Sequence, residues 1–235
     1  MQGDVSKTDL VNLNSVEKDN GNIVIGRSGY EKFVHLPLNK KDKYFSNPVD
    51  FVRFIKGTEA LIRKSKEYSA YIAYLKTKVG LRSCALFHNI DDTVAPIEMH
   101  HGPIFTLYDY VEIQIAYMYK TGQAINSMSV ANNVLKDHWD NLVQVVMLCQ
   151  MAHLGVHNFA KTKDKKFFLS ADAAFGDFKS FIEKYHDALT LQHVNKIKNY
   201  FKFYKEYSET KTKTPMFEAV VTSWADRFDS KEGRV

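Results

Sequence analysis

The sequence predicts an α+β fold, mostly helical, with one small antiparallel hairpin and a histidine-bearing helix embedded among other helices. Three observations lead there. Apolar residues recur at spacings of three and four across 47–78, 105–138 and 190–207, the period of an amphipathic helix. Two short segments read as strands instead: 97–101 by alternation, and 143–148 as a buried apolar run broken only by Gln144. The second leads into Leu148-Cys149-Gln150-Met151-Ala152-His153-Leu154-Gly155-Val156-His157, where two histidines four residues apart share one helical face.

In chain order, residues 1–22 are polar, and a short strand candidate, Ile23-Val24-Ile25, lies between Gly21 and Gly26. The basic stretch 39–43 reads as a surface loop. A helix begins near Asn47: Pro48 suits a first turn, Asp50 lies near the positive end of the helix dipole, and Phe51, Phe54 and Ile55 form an apolar face. Gly57 reads as an interruption, after which Leu61, Ile62, Tyr68, Tyr71, Ile72 and Leu75 continue a long helix to about 78, ended by Gly80. Residues 81–87 read as a strand leading to a turn at Asp91-Asp92. Thr106 and Asp109 form a capping pair, and Thr121-Gly122 closes the helix they open. Ser127 or Ser129 starts the next, which runs to His138, and Asp140-Asn141 turns the chain. Ser170 caps a helix built on Ala173, Ala174, Phe178, Phe181 and Ile182. Another spans 190–207, and a last one follows Pro215. These patterns divide the chain into an N-terminal segment (1–46), a helical region (47–80), a core (81–169) with a helical insertion at 105–138, and a C-terminal helical region (170–235).

Composition narrows the function little. Charged residues are 25% and hydrophobic residues 45%, the balance of a globular protein. A formal charge of +5 is compatible with a nucleic-acid partner and equally with a need for solubility. The two cysteines, Cys84 and Cys149, allow no disulfide framework and read as buried thiols in a reduced compartment. No apolar run approaches a membrane span, and the start lacks the basic and apolar regions of a signal peptide. The expectation is a cytoplasmic protein without a membrane partner. P-loop, dinucleotide and zinc-finger patterns are absent from the sequence.

Chemistry gathers between Ala95 and Asn158. The first strand ends in His100-His101-Gly102-Pro103. Neighbours in a strand face opposite ways, so the two histidines diverge unless the strand ends between them, as the Gly-Pro turn favours. His153 and His157 can donate imidazole nitrogens to one metal ion, at the expense of about 1 kcal/mol of helix propensity for the Gly155 between them. Glu98 lies two residues before His100 on the same strand face, where it can orient a ligand imidazole. Cys149 reads as structural.

These pieces resemble the HNH endonuclease family: a histidine pair closing the first strand (His100-His101), an Asn-Leu-Val segment (Asn141-Leu142-Val143), and the Leu-Cys-x-x-x-His-x-x-x-His run through His153 and His157. The match covers about a quarter of the chain. Its long gap between His101 and Asn141 looks like the elaborated versions found in bacteriophage proteins, and the paired Cys-x-x-Cys motifs of some members are missing. The resemblance implies a hairpin and helix around one divalent ion (Mg, Mn, Zn or Ni), with His100, His153 and His157 as ligands. It also implies His101 as the general base and Asn141 as a brace for its loop. His138 is a conceivable further active-site residue. Arg63, Lys64, Arg82, Lys161, Lys163 and Lys165 are the candidate contacts to double-stranded DNA. The function expected is metal-dependent hydrolysis of DNA phosphodiesters in the host cytoplasm, with a homodimer left open as the means of double-strand cutting. The alternatives are a non-catalytic phage nucleic-acid-binding or regulatory protein that keeps the fold, and a structural-zinc interaction module.

Overall fold

The computed structural model describes residues 48–207, together with a two-residue pairing of Lys18–Asp19 (β1) and Asn22–Ile23 (β2). The 39–43 loop and the helix after Pro215 lie outside the described residues.

Helix α1 spans Pro48–Lys64 and buries Phe51, Phe54, Ile55, Thr58 and Ile62. It runs straight through Gly57, because that face stays continuous and one glycine is too weak a breaker to end it. The break comes at Ser65. Its hydroxyl accepts the backbone N–H of Tyr68 at 3.1 Å, capping a second helix, α2 (Lys66–Tyr74). A single π-turn, Leu75–Val79, closes against Gly80, which sits in the left-handed region.

Residues 81–87 do not form the strand their composition predicts. The Cys84 amide turns in to bond the Ile90 carbonyl, leaving one bridge between Ser83 and Asp91. Asp91-Asp92 is the turn expected there.

Strand β3 (Ile97–His101) pairs antiparallel with β4 (Val145–Cys149), Ile97 opposite Cys149 and His101 opposite Val145. Both edges of this hairpin are engaged. Lys76 donates its ammonium to the Ile97 carbonyl at 2.7 Å. Ala85 donates to Met147, and Phe175 exchanges two bonds with Val145, which covers part of the outer edge of β4. Between the strands come α3 (Leu107–Lys120), opened by a reciprocal Thr106–Asp109 capping box, and α4 (Ser127–Trp139), opened by another between Asn126 and Ser129. Directly after β4 the chain enters α5 (Gln150–Thr162), which packs back on both strands.

Ser170 caps only a 3₁₀ turn, Ala171–Ala173. The following helix, α6 (Phe178–Tyr185), takes its cap from Asp177, and α7 (Leu191–Tyr207) completes the described chain. One continuous cluster of buried side chains extends from Phe51 to Tyr204. The architecture is α+β, mostly helical, with the hairpin and its helix set among helices, as the sequence predicts. Among the described residues no helix is long and apolar enough to cross a membrane.

Candidate metal centre

His100 projects from β3 toward α5, where His153 and His157 stand one turn apart. The three rings meet. Centroids are 4.9 Å apart for His100 and His153, 5.0 Å for His100 and His157, and 4.8 Å for His153 and His157. One nitrogen from each lies within 4.8 Å of the other two. A side chain at Gly102 would press on the His100 ring, whose Nε2 lies 3.0 Å from where a Cβ would stand, so that glycine leaves the ring its place.

Glu98 fixes one tautomer. Its carboxylate accepts a hydrogen bond from Nδ1 of His153 at 2.7 Å, so the lone pair of His153 is on Nε2. A carboxylate behind an imidazole is the arrangement that orients histidines on a metal and raises their basicity. Burial, then the neighbouring His153 and His157, then the Arg63 guanidinium, hold the pKa of His100 down to about 3. Burial first, then His153 and Arg63, also lower that of His157. Both rings are therefore neutral near pH 7, the state in which imidazole is a ligand. His100 is buried, whereas His157 faces solvent, so the cluster is open on the helix side.

His101 does not join them. Strand pairing continues through His101 to Val145, so the two histidines keep opposite faces. The His101 ring stacks on Tyr68 (6.1 Å, 13°) and lies 2.9 Å, Nε2 to Nε2, from His138. The Val134 carbonyl, 2.7 Å from Nδ1 of His138, can only accept. His138 therefore carries its proton on Nδ1 and offers Nε2, and His101 must donate from its own Nε2. Burial first, then His138, Arg63 and His100, hold the pKa of His101 well below its usual value. The general-base role expected of His101 does not fit a ring on the far face of the hairpin, bonded into a buried pair. His138 is likewise remote from the ligand cluster: it is fully buried against Tyr71 (5.2 Å) and Tyr68 (5.8 Å).

Asn141 is a turn residue. It follows α4 with φ of 57°, a conformation asparagine tolerates better than most residues. Its amide donates to the His138 carbonyl and its carbonyl accepts from Asp177. These are backbone bonds, and they do not brace His101 in the manner expected of the side chain. Arg82 is committed to Asp92, with Nε 3.0 and 3.1 Å from the two carboxylate oxygens, within the 82–92 loop.

Of the other basic candidates, Arg63 and Lys64 end α1, and Arg63 lies 3.7 Å from Glu59. The charge of Arg63 depresses the pKa of His100, His101, His138 and His157 alike. Lys161 is four residues beyond His157 and continues the histidine stripe of α5. Lys163 caps that helix in the left-handed conformation, and Lys165 opens the 3₁₀ turn that follows.

A second convergence, missed in the sequence, joins Asp109 and Glu112 of α3 to His193 of α7, all buried. It differs in kind from the imidazole cluster. The Thr190 amide donates to Nδ1 of His193 at 3.1 Å, while the Thr190 hydroxyl accepts the His193 amide. This is a capping box with histidine in the third position, for which the Thr-x-x-His spacing was the available signal. The His193 proton is thus on Nε2, 3.3 Å from Glu112 and 3.7 Å from Asp109, and Lys196 occupies Asp109 at 2.5 Å. His193 thus turns an N–H rather than a lone pair toward the carboxylates, which sets this group apart from the imidazole cluster, and the charge pairing here is that of Lys196 with Asp109.

The fold and site together define a helical α+β protein with a hairpin–helix frame and three imidazoles meeting between strand and helix. The chain belongs to the Bacteriophage G278-like virion protein family, whose model matches residues 1–227. No curated protein and no solved structure matches it. The family carries the phage origin that the motif resemblance implied; its description names a virion protein and no activity.

Proposed function

We propose that this virion protein is a metal-dependent DNA phosphodiesterase of HNH type, with His100, His153 and His157 as the ligands of one divalent ion. The observation that carries the reading is the convergence of His100 from the first strand with His153 and His157 from the following helix. Their order along the chain and the antiparallel hairpin beneath them match what the resemblance implied. The donor set fits a metal. Three imidazoles, one backed by a carboxylate, suit Zn²⁺, Ni²⁺ or Mn²⁺ and, more weakly, Mg²⁺. An ion held there supplies Lewis acidity toward a phosphodiester oxygen and acidifies water.

The chain's own residues do the rest. Burial keeps His100 deprotonated, and Glu98 keeps Nε2 of His153 available. The opening at His157 leaves an approach for a phosphate. Arg63, whose charge reaches His100 and His157, together with Lys161 beyond His157, makes the approach attractive to an anion. His101 packs behind the strand that carries His100 and takes no part in proton transfer; the proton of the attacking water leaves to bulk solvent through the opening at His157.

The test is plasmid cleavage by the purified protein with Mg²⁺, Mn²⁺, Ni²⁺ or Zn²⁺, beside His153→Ala and His101→Phe. Metal-dependent cleavage that falls by about 10² or more in His153→Ala, and persists in a folded His101→Phe, is the expected result. Cleavage by His153→Ala equal to the parent's overturns the assignment. Metal binding without cleavage transfers the site to the structural reading, in which an ion only pins α5 to the hairpin.

A further inference from the structure

Strand β3 ends in two histidines that its partner strand does not tell apart. His100 lies opposite Val146 and His101 opposite Val145, and all these side chains are buried. Upstream, composition settles the faces: Ile97 and Met99 are buried, whereas Glu98 is exposed. At 100 and 101 the two side chains are the same, so exchanging their faces would change nothing in the apolar pattern that ordinarily fixes a strand.

One residue breaks the tie. His138 of α4 is fully buried and gives its Nδ1 proton to the Val134 carbonyl at 2.7 Å. Its Nε2 is therefore an acceptor, and it stands 2.9 Å from Nε2 of His101. Tyr68 stacks on His101 at 6.1 Å and meets His138 edge-on at 5.8 Å, closing the space around the pair. The room for the His100 ring lies on the other side, over Gly102, where a Cβ would stand 3.0 Å from its Nε2. Phenylalanine would fill the place of His101 without desolvating two imidazoles. The best-attested use of a buried polar group that apolar packing could replace is to fix register.

We infer that His138 is a positioning residue: by accepting the His101 proton it commits that histidine to the core and so assigns His100, rather than its neighbour, to the metal. The inference rests on the reading of His100, His153 and His157 as ligands and deepens it by naming what holds the strand ligand on its face. Without the acceptor, the buried N–H of His101 is stranded and gains by turning out. A bulge at the strand end, where Gly102-Pro103 already turns the chain, then exchanges the faces of the two histidines. The fraction of molecules with His100 against α5 falls, and apparent metal affinity falls by the same factor.

The experiment is a Co²⁺ titration of the full chain followed by visible absorption, with urea titration of the metal-free proteins to record stability separately. His138→Leu is expected to weaken Co²⁺ binding about three- to tenfold. His138→Gln, whose side-chain carbonyl can accept the same proton, keeps affinity within about twofold of the parent. His101→Phe also keeps it, because a phenyl ring stays in the core unaided. Combining His101→Phe with His138→Leu therefore recovers parental affinity although the bond is gone. A role confined to stability predicts unchanged Co²⁺ affinity in folded His138→Leu; that result overturns the inference and leaves the metal reading standing. A loss of affinity that His101→Phe does not recover assigns the effect to packing and overturns the inference as well. If His138→Leu does not fold, His138→Asn, too short to reach His101, takes its place in both comparisons. A parent that binds no Co²⁺ overturns the metal reading itself, and the inference with it.

Discussion

The carboxylate of Glu98 accepts the Nδ1 proton of His153 across 2.7 Å, from β3 to α5. The contact joins two residues 55 apart in sequence and decides which nitrogen of His153 is free. Removing the acceptor without removing the ring is therefore a clean perturbation. Glu98→Gln leaves a carbonyl able to accept the same bond but withdraws the negative charge; Glu98→Ala withdraws both. Metal affinity, followed by Co²⁺ titration or by competition with a chelating dye, is expected to fall about tenfold for the glutamine and up to about 100-fold for the alanine. Glu98 is half exposed, so melting temperature without metal should scarcely move. Equal affinity in all three proteins would show that His153 finds its tautomer unaided.

The buried His101–His138 pair makes stability depend on pH, and the sign follows from the burial. Burial lowers the pKa of His138 to about 4, with Arg63 adding to the effect against the opposing bond to the Val134 carbonyl. Around it lie Tyr68, Tyr71 and His101, none of which supplies a negative charge near neutral pH. The unfolded chain takes up a proton near pH 6.5, whereas the folded chain does so only near 4. Stability is complete above 6.5 and is lost as pH falls between those values. At pH 5, 1.5 pH units into that window, the loss from this group is about 2 kcal/mol relative to pH 8. Chemical denaturation at pH 8 and pH 5 measures it. His138→Gln is less stable at pH 8, but its drop between the two pH values should be smaller by about that amount; an unchanged drop would remove His138 as the source.

These sites show what was legible beforehand and what was not. The helix period displayed the His153–His157 pair, and strand alternation displayed the face that His100 shares with Glu98. Alternation also carried the information that places His101 in the core. The resemblance alone gave His101 its role at the site. The strand spans 97–101 as expected, and the pairing of His101 with Val145 keeps its ring on the face opposite His100. The helix break was misplaced for a different reason: Gly57 weakens a helix by propensity alone, whereas the Ser65 hydroxyl competes directly for a backbone amide. The Asp109–Glu112–His193–Lys196 network joins helices far apart in sequence, and local pattern reports only its Thr190–His193 cap.

Asn141 offers a direct separation of turn from catalysis. With φ of 57°, it occupies a region where glycine is unstrained and β-branched residues are not. Asn141→Gly is expected to keep stability within about 0.5 kcal/mol of the parent and to keep metal affinity and cleavage; Asn141→Val should cost about 1–2 kcal/mol. Urea titration and the plasmid assay together check this. A stable Asn141→Gly protein that has lost cleavage would restore the side chain to the site.

The ion pair between Lys196 and Asp109 tests whether the second donor cluster is structural. Asp109 is buried, and one carboxylate oxygen caps α3 through the Thr106 amide and hydroxyl while the other takes the Lys196 ammonium at 2.5 Å. Burial pushes its pKa up, but Lys196 and His193 outweigh that, and the net shift is downward. Lys196→Met strands a charge that the cap bonds alone do not neutralise. About a third of the Lys196 side chain is exposed, so solvent screens the pair and the expected loss is on the order of 2 kcal/mol. Because Asp109 is then free to protonate, the deficit should narrow as pH falls from 7 toward 4. Asp109→Asn combined with Lys196→Met removes both charges and should recover part of the loss, a coupling of about 1 kcal/mol or more in a double-mutant cycle. If Zn²⁺ binds at His100, His153 and His157 as proposed, the rise in melting temperature on adding it should be the same in every member of the cycle. A Zn²⁺ response that shrank with Lys196→Met would mean the ion binds at Asp109 and Glu112 instead.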